Sequence, residues 1–92
     1  MFELSIAIKK LSDDVFEVTV VEISTTAHTV TISDQSLNDL TDKKVTKTQL
    51  LEFSFKFLLD REPNTSILSS FDINVISRYF PDYRDEVRRW CN

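Results

Sequence analysis

The segment from Val45 to Pro63 places apolar side chains around most of a helix, and this constrains the fold more strongly than any other part of the sequence. At roughly 100° per residue, its apolar residues cover an arc of about 240°. They are Leu50, Leu51, Phe53, Phe55, Phe57, Leu58 and Leu59. Thr46 and Gln49 have the spacing of a capping box. The sequence therefore predicts a central, mostly buried helix over about residues 47–62, which ends before Pro63.

Ser54 lies near the middle of this apolar arc. A small residue there lets a neighbouring element approach closely. A buried serine hydroxyl in a helix bonds the carbonyl four residues earlier. We therefore expect Ser54 at a close contact.

Three segments before the central helix alternate apolar and polar residues, which is typical of half-buried β-strands. They cover about residues 2–9, 15–24 and 28–33. The apolar face of the first carries Phe2, Leu4, Ile6 and Ile8. In the third, the inward residues are Val30 and Ile32 and the outward ones Thr29 and Thr31. Short links predict an antiparallel meander with one apolar face, which the central helix would cover.

Shorter helices are predicted on both sides of the central one. Residues 34–42 form a short helix capped by Ser33 or Asp34. After Pro63 we expect two or three C-terminal helices. The first segment is a short turn through Leu68. The second is a helix from Asp72 to Phe80 with Phe71 and Ile76 as its staple and with Val75, Ile76, Tyr79 and Phe80 on its apolar side. The last is a helix over 82–91 with Tyr83, Val87 and Trp90 on its apolar side. Residues 1–92 thus form a single α+β domain.

The chain contains no glycine, whereas about six would be usual at this length. This excludes the glycine-rich loops that hold phosphates in nucleotide-binding proteins. We also expect every turn that requires a positive φ to use Asn or Asp.

Composition limits the function classes further. The net charge of −4 argues against a protein whose main task is to neutralise nucleic-acid phosphates. The single cysteine, Cys91, fits a reducing compartment, and no segment is long and apolar enough to span a membrane. We therefore expect a cytoplasmic protein without a membrane-bound segment.

Candidates for catalysis or metal binding are few. His28 is the only histidine, so a zinc site would lack a second imidazole ligand. We interpret His28 as a strand-start residue that makes a structural hydrogen bond. Cys91 would need a base beside it to act as a nucleophile. The sequence predicts no catalytic residue, no metal site and no cofactor.

Lysines at the start of the central helix could contact an anion. Lys43, Lys44 and Lys47 surround the capping residue Thr46, where free backbone N–H groups favour phosphate. The simpler interpretation is solvated charge near helix ends.

Residues 28–61 resemble the ribbon-helix-helix family of DNA-binding dimers, through the strand HTVTIS, the short helix DQSLNDLTD and the turn KKVTKTQ before the longer helix. The resemblance implies that Thr29 and Thr31 read the DNA major groove and that Thr46 and Lys47 grip phosphate. The sequence departs from the family pattern because the strand has no Arg, Lys or Gln and the turn has no glycine.

Residues 27–83 are similar to a family of small prokaryotic proteins of unassigned function. The strings that carry this similarity are HTVTISDQSLNDLT, SFKFLLDREPNTSIL and FDINVISRYFPDY. No functional residue follows from it.

Together these observations predict a non-enzymatic, cytoplasmic α+β module that acts by contact with a protein partner or by self-association. The alternative is a ribbon-helix-helix-like DNA-binding regulator.

Overall fold

The alternating segments near the N-terminus form an antiparallel meander, as the sequence predicts. A computed structural model describes residues 5–92 of the chain. Strands β1 (Ser5–Lys10), β2 (Val15–Val21) and β3 (Thr25–Thr31) pair in this order. Ile6 and Ile8 pack against the core, whereas Phe2 and Leu4 of the predicted first strand lie outside the described residues.

The turn between β2 and β3 comes earlier than predicted. Val21 pairs with Thr25, so residues 22–24 form the loop and Ile23 at its tip is 82% exposed. The predicted strand 15–24 is therefore too long, and the predicted start of the next strand at residue 28 is too late. β-Branched Thr25 continues the ladder, since such residues suit a pleated strand whether or not they are apolar.

The short helix α1 covers Asp34–Thr41, and its cap is Ser33, whose hydroxyl accepts from the backbone N–H of Ser36 at 3.1 Å. Asp42 ends it with a φ of 53°, as expected for a chain without glycine. Lys43 follows with a φ of 59°, so the expectation that Asn and Asp take all such positions is wrong. Its unbranched side chain tolerates the left-handed region better than a β-branched one.

The central helix α2 covers Lys47–Leu59 and starts with the predicted capping box of Thr46 and Gln49. It ends three residues earlier than the predicted residue 62. The carbonyl of Leu58 accepts from the N–H groups of Arg61 and Glu62, at 3.0 and 2.9 Å, so the chain leaves the helix in a tight turn.

A fourth strand, which the sequence pattern does not predict, follows α2. A single 3₁₀ turn at Asn64–Ser66 leads into β4 (Ser70–Asp72), which pairs in parallel with β3. The sheet order is β1-β2-β3-β4. Three residues are too few to show an alternating pattern, and the spacing of Phe71 and Ile76 also fits a helix staple.

The C-terminal helices are α3 (Val75–Tyr79) and α4 (Tyr83–Cys91). The helix predicted from Asp72 to Phe80 is therefore shorter at its start, because β4 takes up Asp72. Tyr79, expected on its inner side, is 67% exposed.

The core lies between the sheet and the helices and is formed by one face of each element. Its fully buried side chains include Val18, Val20, Val30, Ile32, Leu50, Leu51, Phe55, Ile73, Tyr83 and Val87. The wide apolar arc of α2 is confirmed, with Phe53 and Leu59 half-buried at its margins.

Ser54 joins α2 to α4 inside this core. Its hydroxyl donates to the carbonyl of Leu50 at 2.6 Å, as predicted. The same oxygen lies 2.6 Å from the hydroxyl of Tyr83, which therefore donates to it. Burial raises the pKa of Tyr83, and its hydrogen bond to Ser54 only partly offsets this effect.

Replacement of Phe57 by alanine tests the packing of α2. Phe57 is 6% exposed and meets the ring of Tyr83 edge-on at 5.3 Å. We expect Phe57→Ala to lower the free energy of unfolding by about 3–5 kcal/mol in urea denaturation. Glu52→Ala, on the exposed side of the same helix, is the control and should change it by less than about 0.5 kcal/mol. A loss below that value for Phe57→Ala would contradict the packing.

Because the hydroxyl of Tyr83 is buried, we expect the protein to lose stability at alkaline pH. Because the folded-state pKa of Tyr83 lies above the unfolded value of about 10, its contribution to stability is complete below pH 10 and declines as the pH rises beyond it. The wild type should lose up to about 1.4 kcal/mol more per pH unit than Tyr83→Phe.

Tyr79→Phe leaves Tyr83 as the only tyrosine, so the ionisation of Tyr83 can be measured directly. In this variant, tyrosinate absorbance should appear together with the loss of circular dichroism. Tyrosinate formation in a protein with native circular dichroism would contradict the buried position.

Candidate functional site

Lys47, a predicted anion contact, is surrounded by acidic groups. Its ammonium lies 2.9 Å from a carboxylate oxygen of Asp14 and 2.8 Å from one of Asp34. It also donates to the backbone carbonyl of Asp13 at 2.8 Å, and only 12% of its side chain is exposed. These contacts attach the start of α2 to the β1–β2 hairpin and to α1.

The pKa values of this cluster follow from the contacts. A hydrogen bond from Lys47 and its charge hold the pKa of Asp34 below its ordinary value. Desolvation alone would lower the pKa of Lys47, but the hydrogen bonds and charges of Asp34 and Asp14 outweigh it and raise that pKa. Asp34 and Lys47 are therefore both charged near neutral pH.

The other predicted contact residues do not join this cluster through any hydrogen bond within residues 5–92. Lys44 donates to the side chain of Asn92, and the Thr46 hydroxyl accepts from the N–H of Gln49 in the helix cap. Thr29 and Thr31 are half-buried on β3, which pairs with β2 on one side and β4 on the other. Contact of these residues with an anion or with DNA stays a prediction from the sequence.

His28 is buried and makes a structural hydrogen bond, as interpreted from the sequence. The interpretation as a strand-start residue is wrong, because β3 begins at Thr25 and His28 lies in its middle. Its Nδ1 is 2.7 Å from the carbonyl of Leu68 and therefore carries the proton. Its Nε2 then accepts from the hydroxyl of Thr26 at 2.8 Å. These two hydrogen bonds satisfy both ring nitrogens and connect the segment before β4 to β3.

Asn64 makes a second connection between the same parts of the chain. Its side-chain amide donates to the carbonyl of Ser24 at 2.8 Å and to the hydroxyl of Thr26 at 3.0 Å. Buried Asn64 and His28 and half-buried Thr26 thus form one network that fixes residues 64–68 against the β2–β3 hairpin.

The segment fixed in this way forms one wall of an apolar groove of about 360 Å³. The other walls are the C-terminal end of α2, β4 and α3, and we call this surface the α2–α3 groove. Its lining residues are Leu58, Glu62, Ser66, Ile67, Leu68, Phe71, Val75, Ile76, Tyr79 and Phe80.

The floor and the rim of the α2–α3 groove differ in exposure. Leu58, Phe71 and Ile76 are buried and belong to the core. At the rim, Leu68 is 48% exposed and Tyr79 is 67% exposed. A partner that covers this rim would therefore remove apolar surface from water at a site that is already shaped.

Glu62 is the only charged residue among those that line the groove. It is half-buried, and no ion pair within residues 5–92 involves it. A carboxylate in apolar surroundings gains from a cationic partner, because little water screens the pair. The groove therefore combines a mostly apolar lining with one negative charge.

The sequence does not predict the groove, although its pattern places Tyr79 and neighbouring residues on the apolar side of a short helix. The α2–α3 groove arises because β4 and the short α3 cover only part of the end of α2. A weak signal is present in the apolar pair Ile67-Leu68, since polar residues stand on both sides of it.

Chemistry-bearing residues outside the groove are sparse. Cys91 is half-buried at the end of α4, where its thiol lies 3.8 Å from the carbonyl of Arg88. Among residues 5–92, no three His, Cys, Asp or Glu side chains are grouped so that they could hold a metal ion. In the same part of the chain, no helix has the length and hydropathy needed to cross a membrane.

Comparisons of the chain with family models, with curated proteins and with solved structures found no match.

Loss of the Asn64 amide tests whether the buried network holds the groove wall. Asn64→Ala removes the amide that donates to the carbonyl of Ser24, which keeps the N–H of Glu22, and to the hydroxyl of Thr26. We expect the free energy of unfolding to fall by about 1–3 kcal/mol. Amide hydrogen exchange should accelerate in residues 65–69. Thr65→Ala, an exposed neighbour, is the control and should leave both quantities unchanged. Unaltered exchange in Asn64→Ala would show that the wall is held by other contacts.

Proposed function

We propose that the protein is a small, non-enzymatic cytoplasmic module that binds a protein partner through the α2–α3 groove. The observation that supports this most directly is an apolar groove of about 360 Å³ whose rim leaves Leu68 and Tyr79 largely exposed. Exposed apolar residues around a formed depression are typical of interaction sites.

The chemistry of the lining favours a peptide segment over a small polar metabolite. Pockets for small molecules place several polar groups so that they converge on the ligand. Here Glu62, Ser66 and the Tyr79 hydroxyl are the only polar side-chain groups among the lining residues. Aliphatic or aromatic side chains of a protein match Leu58, Ile67 and the other apolar lining residues better than a polar metabolite does.

The same lining supports a function without catalysis. A nucleophile and a base within hydrogen-bond reach of each other are the usual sign of covalent or acid–base chemistry. Neither Glu62 nor Ser66 has a hydrogen-bonded side-chain partner within residues 5–92. The cytoplasmic location remains part of the proposal and rests on the single cysteine.

A selection of random displayed peptides against the purified chain tests the groove. We expect the enriched peptides to be apolar and to lose at least about tenfold in affinity for Leu68→Glu, which places a second charge at the rim.

Leu11→Glu is a matched control for this substitution. Leu11 is 50% exposed, close to the 48% of Leu68, but it lies in the β1–β2 hairpin outside the groove lining. Affinities should be unchanged in Leu11→Glu. Peptides that bind both variants as well as the wild type would contradict the proposed site.

A further inference from the structure

We propose that the partner binds as an extended segment that adds a fifth strand beside β4, with its inward side chains in the α2–α3 groove. This inference rests on the proposed function, because it assigns a binding mode to the same groove. It defines the partner by chemistry: alternating apolar residues in an extended segment, with a lysine or arginine at one end.

The backbone of β4 has a free edge. In the ladder with β3, the carbonyl of Ser69 accepts from Thr29 at 2.8 Å, and the N–H of Ile73 donates to Thr31 at 3.0 Å. Alternate residues of a strand bond to opposite sides. Ser70 and Asp72 therefore direct their N–H and C=O groups away from β3.

These backbone groups have no partner elsewhere in the described chain. β4 is the last strand of the sheet order, so no strand within residues 5–92 pairs with its outer side. Ser70 is exposed and Asp72 is half-buried. An unpaired edge of this kind is a template for an incoming strand.

The groove runs alongside this edge. Leu68 precedes β4 and Val75 follows it, and both line the groove together with Phe71 of β4 itself. The ring of Phe71 lies on the inner face of the sheet, 6.2 Å from that of Phe55. The inward side chains of a strand added beside β4 would be neighbours of Phe71 and would therefore enter the groove.

An amphipathic helix could also fill an apolar groove, but it would leave the backbone groups of Ser70 and Asp72 unused. Strand addition uses the edge, the groove and the charge of Glu62 together. For this reason the structure favours an extended partner.

Backbone N-methylation of a designed peptide tests the binding mode on the wild-type protein. The probes are two dye-labelled hexapeptides, Lys-Val-Thr-Val-Thr-Val and Val-Thr-Val-Thr-Val-Lys, measured by fluorescence anisotropy. N-methylation at one alternate set of residues should weaken binding at least about tenfold, since it removes the N–H groups that face β4. N-methylation of the other alternate set should leave the affinity unchanged. Equal effects of both sets would overturn strand addition.

Ser70→Pro tests the protein side of the same contact. Proline removes the outward N–H of Ser70, which β3 does not use, so the melting temperature should stay close to that of the wild type. Affinity for the better peptide should fall at least about tenfold. Unchanged affinity in a folded Ser70→Pro variant would overturn the proposal.

Glu62→Gln tests the charge preference. One of the two peptides should bind more tightly than the other because its lysine reaches Glu62, and in Glu62→Gln this preference should disappear with a loss of about threefold in affinity. A preference that persists in Glu62→Gln would show that the groove does not select a cation through this residue.

The remaining outcomes separate the binding mode from the function. Peptides that bind the wild type but not Leu68→Glu would support the groove as the binding site. If both N-methylated sets of such peptides bind equally well, strand addition is overturned. Failure of both probes would overturn strand addition, while the random-peptide selection decides the groove independently. A dimer in sedimentation analysis that Leu68→Glu abolishes would assign the groove to a second copy of the chain and overturn the peptide partner.

Discussion

The burial of α2 is the constraint on which the rest of the structure depends. Its apolar arc is too wide for a single covering layer, so the sheet covers one side and α4 covers the other. Ser54 in the middle of the arc accepts a hydrogen bond from the hydroxyl of Tyr83 at 2.6 Å. This bond fixes the position of α4 on α2. Because a buried hydroxyl without a partner is costly, this pair specifies the arrangement as well as stabilising it.

The groove follows from the same constraint. α2 ends at Leu59, the chain turns back, and β4 with the five-residue α3 covers only part of the end of the helix. Leu58 and Phe71 are buried there, but Leu68 and Tyr79 remain at the rim. The site is thus the place where the cover of α2 is incomplete.

Local sequence signals predicted the elements whose chemistry is contained within a few residues. The capping box of α2, the meander and the bond from Ser54 to Leu50 all depend on residues close in sequence. β4 could not be predicted, because three residues show no periodicity and their pairing with β3 is non-local. The network of His28 and Asn64 was missed for the same reason: its members lie about forty positions apart, as in the bond from His28 to Leu68. Lys47 illustrates a different limit, since the sequence shows its charge but not the carboxylates of Asp14 and Asp34 that neutralise it.

The parallel pairing of β3 with β4 has a consequence for folding. Thr29 pairs with Ser70, so closing this contact orders a long stretch of chain, including α1 and α2, at a high cost in conformational entropy. Local hairpins and helices form faster than such contacts, so we expect the β3–β4 junction to form late in folding. The groove wall exists only once that junction has closed. A bound ligand would therefore stabilise the complete fold and not a part of it, and the ability to bind would report that folding is finished.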